Sequence, residues 1–151
     1  MISAFFFTFM ASVFISFLFN VPKKSVLVTA TIAGIGYVVF ISFNNSPNTE
    51  LLGYFIGTLV MAILSEIAAR VMKMTTTIFI TTAVIPLVPG LGLYQTMQFL
   101  VQNNYNAFME TGIHTMLAAG TIAMAIAIDT LFVKIFVRVW NKTQGDGSSV
   151  S

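Results

Sequence analysis

The chain has 151 residues, of which 57% are hydrophobic and 8% are charged. Because a soluble domain carries about 25% charged residues, this composition excludes an ordinary soluble protein and predicts a polytopic membrane protein. The net charge of +2 does not indicate nucleic-acid binding, since the basic residues lie at segment ends, and the absence of cysteine excludes disulfides and thiolate metal sites.

Five apolar runs, each near the roughly 20 residues needed to cross a bilayer, follow one another along the chain. They are Ile2–Phe19, Ser25–Phe43, Leu51–Ala69, Thr75–Leu93 and Gly112–Val133. The sequence therefore predicts an all-α integral membrane protein, a bundle of five transmembrane helices in one domain over residues 1–142. We expect the small, polar residues 143–151 to form a disordered tail.

The basic residues follow the first, third and fifth runs: Lys23, Lys24, Arg70, Lys73, Lys134, Arg138 and Lys142. The other two connections, 44–50 and 94–111, contain none. By the positive-inside rule this alternation predicts five crossings, with the N-terminus outside and the C-terminus in the cytoplasm. We expect the membrane to be the cell (plasma) membrane, which is the inner membrane of a cell that has two. The alternative is a re-entrant or interfacial second or fourth run. A cleaved signal peptide is disfavoured, because residues 1–19 lack a basic n-region.

The third run contains a packing motif and an acidic residue. Gly53 and Gly57 form a GxxxG, which is typical of closely packed membrane helices. Glu66 has Arg70 four residues later on the same helical face, which favours a local ion pair near the interface. Proton coupling by Glu66 is the functional alternative.

The fourth run is interrupted in its middle by two prolines and two glycines: Pro86, Pro89, Gly90 and Gly92. Proline removes a backbone donor and clashes with the preceding turn, so the sequence predicts that the fourth helix is broken at Pro86–Gly92. Pro86 lies about 16 Å along the helix from Thr75, near the midplane of the bilayer. Backbone freed at this depth must be buried or line a wet cavity, and transporters use such breaks to bind solutes. A kink that only shapes packing is the alternative.

Hydroxyl groups flank this break. Thr81 and Thr82 lie within about one turn before Pro86, and Tyr94 follows the break. We interpret all three as candidate residues of a substrate pathway. Alternatively, the threonine hydroxyls bond carbonyls of their own helix or hold neighbouring helices together.

The fifth run contains Asp129, which has no basic residue three or four positions later. We therefore expect its partner to come from another helix or from solvent, and Asp129 is a second candidate for proton coupling. His114 is the one histidine of the chain, so no multi-histidine metal site is predicted, and we expect no cofactor.

Three stretches carry a resemblance to a known family: Phe19–Pro22, Gly57-Thr58 and, above all, Thr81–Tyr94 with its Ile-Pro-Leu-Val-Pro-Gly core. Over about residues 1–140 the chain resembles the small-subunit form of the threonine/serine exporter family. The resemblance implies proton-driven export of threonine and serine together with a larger membrane subunit, and some two-chain relatives look more like dicarboxylate exporters. We expect spans three and five and this partner chain to line the break.

Three functions compete at this point. The first is a transporter subunit in a hetero- or homo-oligomer, in which the broken helix binds a small polar solute. The second is a non-transporting membrane scaffold that stabilises a partner. An intramembrane enzyme is disfavoured, because the sequence offers no nucleophile–base pair and no multi-histidine pattern.

Overall fold

The computed structural model describes the backbone of residues 1–43 and 49–145, with side chains through Ile135. This part of the chain is helical and contains no strand, which confirms the all-α class. Its elements are α1 (Ile2–Leu18), α2 (Lys23–Phe43), α3 (Glu50–Met72), α4 (Thr76–Val84), a 3-10 turn (Ile85–Leu87), α5 (Gly90–Val101) and α6 (Tyr105–Gly145). Residues 143–145 of the expected tail continue α6, and residues 44–48 and 146–151 lie outside the described residues.

Three helices are long and apolar enough to cross a bilayer: α2, α3 and the Tyr105–Ile135 part of α6. Thr76–Leu87 and Gly90–Val101 form a fourth candidate only as a pair, because they are bent by 49° at the break. Helix α1 is apolar but has 17 residues, which corresponds to about 25 Å of helix against a hydrocarbon core of about 30 Å. The described chain therefore contains three to four candidate spans, and a count of five also requires α1.

The structure differs from the prediction between Tyr94 and Thr111, which we expected to be a connection. Helix α5 continues to Val101 and α6 begins at Tyr105, so residues 102–104 alone join them. The apolar pattern is interrupted here by Gln and Asn side chains, but glutamine is a good helix former and does not end a helix. The turn is instead made at Asn103, whose φ of 55° lies in the left-handed region that asparagine tolerates.

Helices α1 to α4 form one packed group. Helix α2 packs on α1 and α3, and α4 packs on α2, α3 and α1. Phe79 and Met61 are fully buried in this group. Helix α6 joins the group by packing on α3, and α5 packs on α6.

Glycines allow close backbone contact between α2 and α3. A Cβ atom on Gly57 would lie 3.1 Å from the carbonyl oxygen of Gly36, and one on Gly53 would lie 3.1 Å from that of Phe40. Such contacts are tighter than side chains normally make, so the GxxxG of α3 faces the backbone of α2.

The α5–α6 contact is built from two reciprocal Gly–Thr pairs. The Thr115 side chain of α6 occupies the space that a Cβ on Gly92 would need. In return, the methyl group of Thr96 on α5 lies 3.2 Å from the Cβ position of Gly112 on α6. Both threonine hydroxyls donate within their own helices, Thr96 to the carbonyl of Gly92 at 2.7 Å and Thr115 to that of Thr111 at 2.7 Å. Small residues and internally bonded threonines therefore hold α5 and α6 together as a hairpin.

Candidate functional site

A cleft of about 630 Å³ lies between α4 and α6, and Glu66 of α3 reaches into it. Its volume is in the range of small-molecule sites. Its polar lining comprises Glu66, Thr76, Thr77, Thr81, Asp129, Thr130 and Lys134, and its apolar lining comprises Ile80, Val84, Ile85, Val88, Ile126 and Val133.

The bend at the break accounts for the cleft. Beyond the break, α5 packs on α6, whereas before it α4 turns towards α2 and α3. Two helices that meet at one end and diverge at the other leave a wedge between them. Ile85 and Val88 lie at the narrow end of this wedge.

The backbone at the break is only partly re-bonded. Pro86 has no N–H to donate to the carbonyl of Thr82, the usual acceptor four residues earlier. The carbonyl of Ile85, which Pro89 cannot serve, accepts from Val88 N–H at 3.1 Å. Pro89 precedes the first turn of α5 and provides no side-chain cap. The break thus consists of a short 3-10 turn, after which a new helix begins at Gly90. It lies at Ile85–Pro89 and not at the predicted Pro86–Gly92, because Gly90 and Gly92 belong to the first turn of α5.

The cleft is polar at one end and apolar at the other. Along α4 its lining changes from Thr76 and Thr77 at the helix start to Val84 and Ile85 at the break, and along α6 it changes from Lys134 back to Ile126. Because α6 returns antiparallel to the bent pair, the two polar ends lie on the same side. The charged groups therefore lie towards the N-terminal end of α4, on the side that the basic residues predict to be cytoplasmic.

Glu66 is held by two neighbours. Its Oε2 atom accepts a hydrogen bond from Thr76 Oγ1 at 2.6 Å, and its Oε1 atom lies 3.4 Å from Arg70 Nη2. The i,i+4 ion pair expected from the sequence is present. The bond to Thr76 also ties the end of α3 to the start of α4.

Asp129 has different surroundings. It is 7% exposed, and its carboxylate makes no hydrogen bond or ion pair with any side chain or backbone group that the structure describes. Asp129 and Glu66 also border a second groove of about 300 Å³ between α3 and α6, where Arg70 and Phe132 contribute to the wall. The two carboxylates therefore lie between two cavities.

The two threonines predicted beside the break differ. Thr82 is buried, and its hydroxyl donates to the carbonyl of Ile78 at 2.9 Å, so it is satisfied within α4. Thr81 lines the cleft and is exposed, and its hydroxyl has no hydrogen-bond partner among the described residues. Thr77, one turn earlier on the same face, is in the same situation. Thr81 and Thr77 therefore present free hydroxyls to the cleft.

Of the predicted site residues, the cleft brings together Glu66, Thr81 and Asp129. The others lie elsewhere. Pro86 lines a cavity with residues of α1 and α2, Gly92 faces Thr115, Gly90 has open space around it, and Tyr94 is 65% exposed on α5.

Four polar lining residues, Thr76, Thr77, Thr130 and Lys134, are not among the site residues predicted from the sequence. In the sequence, Lys134 is a topology signal and lies too far from Asp129 for a pair one helical turn apart. In the structure, both side chains line the cleft. Thr76 and Thr77 belong to a run of three threonines that begins at Thr75, and no feature of the sequence distinguishes Thr130. The short Lys73–Thr75 turn between α3 and α4 is the one sequence feature that could have indicated the hydrogen bond between Glu66 and Thr76.

Comparison with known proteins supports one assignment. A family model described as "Threonine/Serine exporter, ThrE" matches residues 4–132. The matched range includes Glu66, the whole of the break and Asp129. No curated protein and no solved structure matches the chain.

Proposed function

The chain belongs to the threonine/serine exporter family, and from this premise we propose that it is the small membrane subunit of an exporter of small polar metabolites, with threonine and serine as its solutes. Membership of this family, together with the apolar helices, indicates a multi-pass membrane transporter. The observation that carries the more specific proposal is the cleft between α4 and α6, where charged groups of both signs and free hydroxyls face a volume suited to a small solute.

The charges in the cleft favour an amino-acid zwitterion over a dicarboxylate. A zwitterion offers its ammonium group to Asp129 and its carboxylate to Lys134, while a hydroxyl side chain can bond Thr81. A dicarboxylate would bring two further negative charges beside Glu66 and Asp129, where repulsion in a medium of low dielectric is strong. A succinate-like solute is therefore the less favoured alternative.

In this proposal α1 and the bent α4–α5 pair each count as one crossing, giving five spans of a cell membrane with the N-terminus outside and the C-terminus in the cytoplasm. The positions of Arg70, Lys73 and Lys134 beside the polar end of the cleft support this orientation. The cleft would then open to the cytoplasm, the side from which an exporter takes its solute.

Export is coupled to the proton gradient in this proposal, with Asp129 and Glu66 as the candidate carboxylates, and the chain works with the larger subunit of the same family. The exposure of α5 supports a partner, because Thr96 is its one buried residue and apolar side chains such as Leu91, Met97 and Val101 are exposed beside its contact with α6. The same exposure favours the second candidate function, a scaffold that stabilises a transporting partner.

Export from loaded membrane vesicles tests this proposal. Vesicles that contain the full chain with the larger subunit are loaded with labelled threonine, serine or succinate, and efflux is followed after a proton gradient is imposed. We expect efflux of threonine and serine and little of succinate. Efflux of succinate alone would contradict the amino-acid assignment.

Site-specific crosslinking separates the transporter subunit from the scaffold. A photoreactive threonine analogue should label the Thr81 region of this chain if the cleft binds solute. Labelling confined to the larger subunit, with efflux intact, would favour the scaffold.

A further inference from the structure

The two carboxylates of the cleft are unequal, and their contacts assign them different roles in the proposed transport cycle. Both border the cleft between α4 and α6 and the second groove between α3 and α6. They differ in how many of their oxygen atoms already have a partner within the chain.

Glu66 has both oxygens engaged. Thr76 donates to Oε2 at 2.6 Å, and Arg70 approaches Oε1 at 3.4 Å. Thr76 lies in the first turn of α4, where a negative charge is also favoured by the helix dipole. A carboxylate held from two helices in this way is suited to fixing the position of α4 relative to α3, and less suited to releasing and rebinding a ligand.

Asp129 has the opposite properties. It is buried, yet none of the described residues bonds its carboxylate. The charged groups around it are Glu66 and Arg70 on α3 and Lys134 on its own helix, while α4 contributes threonine hydroxyls and α5 contributes no lining residue to either cavity. An acidic group in a membrane helix that lacks a protein partner is stabilised by water, a cation or a proton in the adjoining cavity.

Building on the proposed function, we propose that Asp129 binds either the ammonium group of the solute or a proton, one at a time, and that Glu66 is a positioning residue. When the solute leaves to the outside, a hydronium ion there transfers its proton to the Asp129 carboxylate and becomes water. The negative charge of Asp129 is thus compensated in both states, by the ammonium group in one and by the proton in the other. When that proton is released to the cytoplasm, the carboxylate is free for the next ammonium group. Competition at one carboxylate thereby links solute export to proton entry.

Solute binding measured against pH tests this assignment. Threonine-dependent thermal stabilisation of the purified two-subunit protein gives an apparent dissociation constant at each pH. For the wild type we expect this constant to rise with acidity, approaching about tenfold per pH unit where the carboxyl is mostly protonated. We expect Asp129→Asn to bind weakly with no pH dependence. Glu66→Gln and Thr76→Val should bind more weakly than the wild type but keep its pH dependence, as expected of residues that only position α4.

Two results would overturn the assignment. One is a pH dependence that survives in Asp129→Asn, and the other is its loss in Glu66→Gln. In either case threonine efflux by the wild type would leave the proposed function standing, whereas absence of threonine binding and efflux by the wild type would refute the function itself.

Infrared spectroscopy provides a readout that does not depend on the solute. Acidification of the wild-type protein should produce a protonated-carboxyl band that is lost in Asp129→Asn and retained in Glu66→Gln. Retention of the band in Asp129→Asn would refute the assignment of the proton to this residue, whatever solute is exported.

Discussion

Threonine hydroxyls in membrane helices usually donate to the carbonyl four residues earlier, and several do so here. Thr29, Thr82 and Thr130 make such bonds at 2.8–2.9 Å. A hydroxyl satisfied in this way is a poor ligand for a solute, because binding would first have to break the intrahelical bond. Thr77 and Thr81 are free of this bond among the described residues and both face the cleft, so they are the better candidates for solute contact.

Substitution of Thr81 by valine tests this distinction. The change removes a hydroxyl while keeping the shape of the side chain, and loss of one hydrogen bond to the solute costs about 0.5–1.5 kcal/mol. We expect the threonine concentration for half-maximal efflux to rise about two- to tenfold. Thr121→Val is the matched control, because Thr121 bonds the carbonyl of Leu117 and lies outside the cleft. An equal effect of both substitutions would refute a direct role for Thr81.

The break between α4 and α5 acts through geometry more than through its own side chains. Pro86 and Pro89 do not line the cleft, yet the 49° bend that they impose separates α4 from α6. An uninterrupted helix would continue α4 along the direction of α5 and bring it against α6. The cleft is therefore a consequence of the missing backbone donors.

The double substitution Pro86→Ala, Pro89→Ala should close the cleft. It restores two N–H donors and lets α4 and α5 approach one straight helix, because alanine is the best helix former. We expect threonine efflux to fall at least about tenfold, equivalent to about 1.4 kcal/mol, with the protein still present in the membrane. Pro22→Ala, in the α1–α2 turn, is the control. Efflux at the wild-type rate in the double variant would show that the break is not needed for transport.

The contact between α5 and α6 gives a matched pair of glycine substitutions. Gly92→Ala requires Thr115 to move and should destabilise the protein by about 1–3 kcal/mol through overpacking. Gly90 has no atom within 4 Å of its Cβ position, so Gly90→Ala should be neutral or slightly stabilising. Thermal unfolding in detergent measures both. Equal unfolding temperatures for the two variants would mean that the Gly92–Thr115 contact does not contribute to stability.

At the scale of the whole molecule, the chain consists of the α1–α4 group and the α5–α6 hairpin. The hairpin is attached to the group at the break and along the α3–α6 contact. The cleft lies between these two parts, so a change in the angle at the break would open or close it. In the proposed function, such a movement around the site would provide alternating access.

Labelling of single cysteines tests whether the bent pair crosses the membrane. The chain contains no cysteine, so Lys73→Cys before α4 and Asn103→Cys after α5 can be introduced without altering any native thiol. If the pair is one span, a membrane-impermeant maleimide should reach Cys at position 73 only from the cytoplasm and Cys at position 103 only from outside. Labelling of both positions from the same side would instead identify a re-entrant hairpin and refute the five-span arrangement.

The helical class, the membrane location and the break were predictable from the sequence, because each depends on local chemistry. Apolar runs of sufficient length form helices in lipid, and proline lacks an N–H wherever the chain places it. The Glu66–Arg70 pair was predictable for the same reason, since four residues correspond to one helical turn. The extent of α5 was not, because isolated glutamines interrupt an apolar pattern without interrupting a helix.

Which residues line the cleft could be learned from the tertiary structure alone. Glu66, Thr81 and Asp129 lie on three different helices, and their convergence depends on which helices pack on α3 and on the direction in which the break turns α4. The same packing placed Gly92 against Thr115 and Pro86 beside α1 and α2. The break between α4 and α5 was predictable from the sequence, because the missing backbone donor is a property of each proline. Only the packed helices decided which side chains face the resulting cleft, because contact between distant segments is a property of the whole chain.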